Sequence, residues 1–343
     1  MQKVGTYRLS FGLMALALVL SCLLNISSGS VNIPFADMWS ILFGGTPEMD
    51  SWQYIIWEYR IPKALTAILV GGGLSLSGLL MQTLFRNPLA GPFVLGISSG
   101  ASLGAALLLM GASLLTGMGT FSVLGNISMA LAASIGSFLV LSVVMLVAQR
   151  VKDTMALLII GLMFGSITSA IVSVLAYFSN AEQLQRFIFW SFGSVGNLHP
   201  NQIWLLGLIV LVGVVLSIIS LKPLNAYLLG EHYAQSLGVS LKKSRLIIIV
   251  ATGLLAGGIT AFAGPIAFVG LAVPHLTRQI FDTMEHKILI PAVFLYGAIL
   301  MLLCDMIAQL PNSANILPIN AITSLVGAPV VIWLLVRKRK MIF

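Results

Sequence analysis

Charge is scarce in this sequence: Asp, Glu, Lys and Arg fill 8% of its 343 positions, where a soluble domain carries about 25%. That scarcity excludes a chain that faces water on all sides. Alternation is missing too. Runs such as LMALALVLSCLL and LLGLIVLVGVVLSIISL are continuous, which excludes a transmembrane β-barrel, whose strands alternate with period two. Cysteine occurs only as Cys22 and Cys304, both within apolar runs, so neither a disulfide nor a thiolate metal site is expected. The four histidines, His199, His232, His275 and His286, lack metal-ligand spacing. No Gly-Lys dipeptide occurs anywhere, and without one there is no phosphate loop for ATP hydrolysis. Of the ten acids, Asp305 alone approaches the interior of an apolar run. An ion-coupled transporter would need ionisable groups at mid-membrane, so that reading stands as the alternative.

What is abundant is apolar length. Hydrophobic residues make up 58% of the chain and the mean hydropathy is +1.03. With ~20 apolar residues per crossing, the pattern gives an all-α membrane protein of about ten spans, forming one transmembrane domain over residues 1–343. The spans are expected near Leu9–Ile26, Pro62–Leu84, Phe93–Met110, Val123–Ala148, Met155–Phe178, Ile203–Leu221, Leu246–Phe262, Ile266–Leu276, Ile288–Ala308 and Ile322–Val336. Gly264-Pro265 separates the seventh from the short eighth. LVLSC, ending at Cys22, faintly resembles a lipoprotein cleavage site, but leucine before the small residue fits poorly, and the segment is read as the first span.

With both ends inside, fifteen of the 18 Lys and Arg residues fall on the inner face, leaving Arg60, Lys63 and Arg186 outside. The same bias accounts for the net charge of +8, so no nucleic-acid partner is inferred from it. LVGGGLSLSG (Leu69–Gly78) can be laid on LAGGITAFAG (Leu255–Gly264); the two would cross in opposite directions, as two five-helix halves of inverted topology require. Shared glycine-rich packing would give the same match.

Polar islands interrupt the runs. FRNPLAGPFVLGISSG (Phe85–Gly100) holds Arg86 on the inner face, with Pro88 and Pro92 ending one helix and starting the next; it reads as a gate or as an ordinary turn. Within it GISSG matches the hydrolase elbow G-x-S-x-G around Ser98, but a strand-to-helix turn is not expected there, and close helix packing explains the small residues better. The inner loop at 222–245 offers Asn225 as a helix cap, apolar Leu228, Leu229 and Leu237, and Gly238 as a helix end. It suits the membrane surface and a docking protein equally. Outside, RIPK (Arg60–Lys63) places Pro62 in a first helical turn and two cations at the positive dipole end. Lipid phosphate, Glu58 or an acidic partner would answer them.

RIPKALTAILVGGGLSLSGLLMQTLFRNPLAGPFVLGISSGA, LLGEHYAQSLGV and GPIAFVGLAVPHLTR (Gly264–Arg278) closely resemble the FecCD family of ABC-importer permeases, over nearly the whole chain. The resemblance implies a non-enzymatic permease for ferric siderophores, haem or vitamin B12, with iron chelates the commonest cargo, in the bacterial inner membrane. It implies a homodimer, two ATP-binding cassette subunits that hold ATP and Mg, with no cofactor in this chain, and a periplasmic or tethered binding protein. Arg60 and Lys63 match the basic positions that meet glutamates of the binding protein. Lysine at the second keeps the charge but loses the bidentate fork of arginine. Asn87 and Leu89 match the inner constriction, and Thr154 its second part, although Met155 departs from the usual small polar residue. Leu229, Gly230, Glu231, Leu237 and Gly238 match the coupling helix that sits in the ATPase. The fifth and tenth spans, with the segments near Asn180–Asn197 and Pro311–Asn320, are expected to line or cap the cavity.

Overall fold

The computed structural model describes residues 4–31, 33–45, 48–111, 126–148, 150–151, 154–309 and 316–336, and among these contains helices and turns but no strand. Each of the ten expected spans overlaps a helix, residues 123–125 of the fourth lying outside the described residues. The first five are α1 (Val4–Ser27), α3 (Asp50–Phe85), α4 (Ile97–Gly111), α5 (Asn126–Ala148) and α6 (Thr154–Phe178). The second five are α8 (Pro200–Ile219), α11 (Leu241–Ala263), α12 (Val269–Phe281), α13 (His286–Ala308) and α14 (Ile319–Val336). Seven of these helices are long and apolar enough to cross a membrane on their own. Short helices α2 (Phe35–Leu42), α7 (Ala181–Ser191), α9 (Leu221–Tyr227) and α10 (Glu231–Ser236) lie between them.

Helix α3 is the axis of the molecule, buried along most of its length and packed on α13, α12, α8 and α11. Glycine makes the closest approaches possible. A Cβ at Gly71 would meet the carbonyl of Gly297 in α13, and one at Gly78 the carbonyl of Gly270 in α12. In a bilayer, where lipid tails are as apolar as leucine, such backbone contact is what drives helices together. The last matched glycine of the internal echo therefore has two roles. Gly78 sits mid-helix against a neighbour, whereas Gly264 ends α11 with φ +74, which favours glycine.

Two local conformations differ from the sequence expectation. Pro62 does not start a helix: α3 begins at Asp50 and passes through a π-helical turn at Ile55–Arg60. A proline inside an α-helix lacks a donor and presses on the carbonyl four residues back; widening the preceding turn relieves both. Nor does α4 start at Pro92, which opens a single 3-10 turn to Leu95. Gly96 follows with φ +73, and the helix begins at Ile97.

Between α11 and α12 the chain breaks at 264–268, at the end of the molecule that the charge bias of the sequence puts outside. Asn320 Oδ1 accepts from the Ala267 amide at 3.0 Å, and the Asn320 amide donates to Phe192 O at 3.2 Å. Ser194 N donates to Ala263 O at 2.8 Å. The segment after α7 and the start of α14 are thus tied to this break, as the expected outer cap of a cavity would be; residues 310–315 of that expectation lie outside the described residues. Long faces of α1, α6 and α8 stay uncovered and apolar, with Leu13, Leu16, Ile159, Met163, Leu208 and Leu211 exposed. Lipid is the solvent that fits them.

Candidate functional site

Lys63, with Arg60 one turn before it, and Arg86 at the inner end of α3 mark the two places that carry most of the residues in question, separated by roughly 35 Å at 1.5 Å per residue. At the outer end Arg60 is buried, with 7% of its surface exposed. Its Nη1 donates to Ile26 O at 2.7 Å and Ser27 O at 2.8 Å, and Nη2 donates to Val31 O. These carbonyls lie at and beyond the C-terminus of α1, where backbone acceptors lack helical partners and the dipole favours a cation. Lys63 Nζ stands 3.0 Å from Asp305 Oδ1, and Asp305, 2% exposed, also accepts from Asn25 Nδ2 at 2.9 Å and Gln309 Nε2 at 2.8 Å. The two cations do not crowd a helix N-terminus, because the helix has started ten residues earlier; each is instead committed to acceptors on another element. Both line a cavity of about 360 Å³ with Tyr59, Asn197, Gln309 and Leu317.

Sequence reasoning did not find Asn25 or Gln309, and it did not pair Asp305. A signal existed: an acid inside a membrane helix needs a partner, and Lys63 is one of only three outer cations.

At the inner end α3 stops because Arg86 turns left-handed, φ +46. Asn87 N donates to Gln82 O at 3.1 Å, and Asn87 Oδ1 accepts from Leu89 N at 2.9 Å, a side-chain turn of the kind Asn favours. Leu89 is exposed. The hinge is held from behind by α12. His275 Nε2 lies 2.7 Å from Pro88 O; Arg278 Nη1 donates to Gln82 Oε1 at 2.8 Å, and Gln82 Nε2 to Leu271 O at 3.1 Å. His275 and Arg278 were legible only as letters of the motif GPIAFVGLAVPHLTR. Ser98 opens α4 after a 3-10 turn, not the strand-to-helix elbow of a hydrolase. The side chain of Thr154, first residue of α6, lies outside the described residues.

The inner loop folds as two short helices and a bend. Gly230, φ +104, precedes α10, and Gly238, φ +80, follows it. Leu229, Tyr233 and Leu237 project with 61%, 54% and 58% of their surfaces exposed. Asn225 does not cap this helix: its Oδ1 accepts from the His286 amide at 3.0 Å and so serves the start of α13, because α9 carries it beneath that helix. Arg245, near the start of α11, reaches Glu231 Oε1 with Nη2 at 3.2 Å and Val151 O with Nη1 at 3.1 Å. Burial pushes the Tyr227 phenol up to about 12, against the pull of Arg245, and its hydroxyl donates to Leu241 O at 3.3 Å. The end of α3 and the loop are neighbours: a Cβ on Gly230 would lie 3.5 Å from Arg86 Nη1.

Comparison with known proteins bears on the whole chain. A family model described as the FecCD transport family matches residues 17–337. The vitamin B12 import system permease protein BtuC of Klebsiella pneumoniae subsp. pneumoniae is 38% identical over 341 residues, covering 99% of this chain and 96% of that protein. BtuC of Shigella boydii serotype 18 is 35% identical over 328 residues, 95% of this chain and 94% of its own. Among solved structures, an inward-facing ABC transporter described as of metal-chelate type superposes with a TM-score of 0.83 at 30% identity, over 97% of this chain and 99% of that one. PsaBC from Streptococcus pneumoniae, solved with a Fab, shares the fold at a TM-score of 0.51 and 16% identity, over 86% and 94%.

Proposed function

Because the chain belongs to the FecCD transport family, we propose that it is the membrane permease of an ATP-driven importer, carrying a large metal chelate inward across the bacterial inner membrane. The observation that carries this reading is the inner end of the molecule. A protruding apolar knob, Leu229, Tyr233 and Leu237, is carried by a loop whose Gly230 lies beside the side chain of Arg86, the residue before the Asn87–Leu89 turn. Apolar side chains presented on a short, glycine-bounded helix fit a cleft in another protein, and motion imposed there reaches the turn directly. In this reading Leu229, Gly230, Glu231, Leu237 and Gly238 couple to an ATPase subunit that holds ATP and Mg. Asn87, Leu89 and Thr154 form the inner gate, and Arg60 and Lys63 form the outer docking site of a binding protein. The permease works as a homodimer, with two ATPase subunits and both termini cytoplasmic. Arg60 orders the rim at Ile26–Val31, and Lys63 presents the charge.

Relatives named for vitamin B12 import make a cobalt corrin the first cargo to test, ahead of the iron chelates and haem that the sequence resemblance implied. The alternative, coupling to an ion gradient, has little to use: Asp305 is already answered by Lys63, Asn25 and Gln309. Co-purifying the tagged chain with its ATPase and binding protein, then measuring ATP-dependent uptake of cyanocobalamin and of a ferric siderophore in proteoliposomes, tests the reading. Uptake driven by an ion gradient with this subunit alone would replace it.

A further inference from the structure

The inner loop and the connection between the fourth and fifth spans share one arginine, and the coupling reading above assigns neither of them to it. Arg245 is one turn into α11, whose first residues form the inner end of a largely buried span. Its guanidinium is forked across two elements: Nη2 meets Glu231 Oε1 at 3.2 Å, and Nη1 donates to Val151 O at 3.1 Å. Glu231 is the first residue of α10. Val151 hangs on the end of α5 through its amide to Val147 O at 3.1 Å, and three residues later α6 begins at Thr154. Tyr227 lies near enough to this pair to feel both charges.

A planar guanidinium with two separate donors transmits direction as well as attraction, which a single ammonium does not. Largely withdrawn from water, such a fork stiffens what it joins.

Resting on that coupling reading, we propose that Arg245 is the positioning residue that makes α10 and the end of α5 move as one body, so that a displacement imposed on α10 by the ATPase is delivered to the loop that opens α6. Arg86, whose side chain lies beside Gly230 at the start of the same helix, leads into the Asn87–Leu89 turn, so one input reaches both inner turns.

The test is a pair of spin labels at the exposed positions Arg150 and His232, introduced as cysteines into a chain whose Cys22 and Cys304 are replaced by serine. The permease is assembled with its ATPase in nanodiscs, without substrate. Pulsed electron–electron distances are read without nucleotide, with ATP under non-hydrolysing conditions, and with ADP. Expected is a 150-to-232 distance that stays constant across these states with Arg245 present. It shifts beyond the width of its distribution in Arg245→Ala, and to a smaller degree in Arg245→Lys, which keeps the charge but not the fork. Glu231→Gln, which weakens one arm only, behaves like Arg245→Lys.

A distance that changes with nucleotide while Arg245 is intact overturns the proposal, as does one that stays constant in Arg245→Ala. A role confined to folding would lower the yield of assembled complex without altering the nucleotide response. That outcome also counts against it, and Arg245→Lys supplies the reading if the alanine variant does not assemble. Failure of the unsubstituted chain to bind any ATPase is a separate result that removes the coupling reading itself, and this proposal with it.

Discussion

Lys63 Nζ and Asp305 Oδ1 lie 3.0 Å apart and join the second span to the ninth across the outer end of the molecule. The carboxylate is almost wholly buried, and its other oxygen is held by Asn25 and Gln309. Removing one partner from a buried pair costs more than removing both. Lys63→Met is therefore expected to lose about 3 kcal/mol of stability, and the double variant Lys63→Met/Asp305→Leu distinctly less. Thermal unfolding in nanodiscs measures both; equal losses would show that the pair is not what holds these spans.

Arg60 bears on how docking is tested. Because its guanidinium serves three carbonyls at and beyond the end of α1, Arg60→Glu is expected to prevent accumulation of folded protein. Arg60→Ala should cost about 2 kcal/mol or more, the scale of lost charge-assisted bonds. Lys63→Gln, which retains a donor for Asp305, is the cleaner probe: uptake should fall while basal ATPase activity persists. Unchanged uptake in Lys63→Gln would remove Lys63 from the docking site.

Gly230 has φ +104, a region that only glycine occupies freely. Gly230→Pro, whose ring demands φ near −65°, should release the ATPase from the solubilised complex. Gly230→Ala, strained by about 1–3 kcal/mol, should weaken retention several-fold. Pull-down yield at matched expression is the measurement, and a proline variant that retains its partner normally would show that α10 is not the contact.

Burial raises the Tyr227 phenol to about 12, while an exposed tyrosine titrates near 10. The folded state thus favours the neutral form. The resulting stabilisation is complete below pH 10 and is lost as pH rises toward and through 12. Between these values the unfolding midpoint of the native chain should drop more steeply than that of Tyr227→Phe. Parallel slopes would place the alkaline transition elsewhere.

The spans were legible because membrane helices announce themselves by length and continuity, and ten apolar stretches became ten helices. Their termini were less so. Pro62 reads as a helix start by every local rule, yet twelve residues of helix precede it, since a π-turn absorbs the defect a proline makes. Partnerships were least legible. Asn225 looked like the cap of its own loop but serves α13, and Lys63 looked free but answers Asp305 across 242 positions of sequence. Such pairings depend on how helices are arranged, which a periodic apolar pattern does not encode. Motif letters located the inner hinge, and only packing revealed that His275 and Arg278 brace it.

The length of α3 has a mechanical meaning. Its 36 residues reach about 54 Å, well beyond the ~30 Å of hydrocarbon. With its inner end fixed at Arg86, the surplus stands outside, where Tyr54, Trp57 and Tyr59 are exposed on the stretch that includes the π-turn. Aromatic rings of this kind float at the headgroup level. One continuous rod thus carries the moorings at its outer end and the Asn87–Leu89 turn at the other, so the depth at which the protein rides in the bilayer and the height of that turn are fixed together.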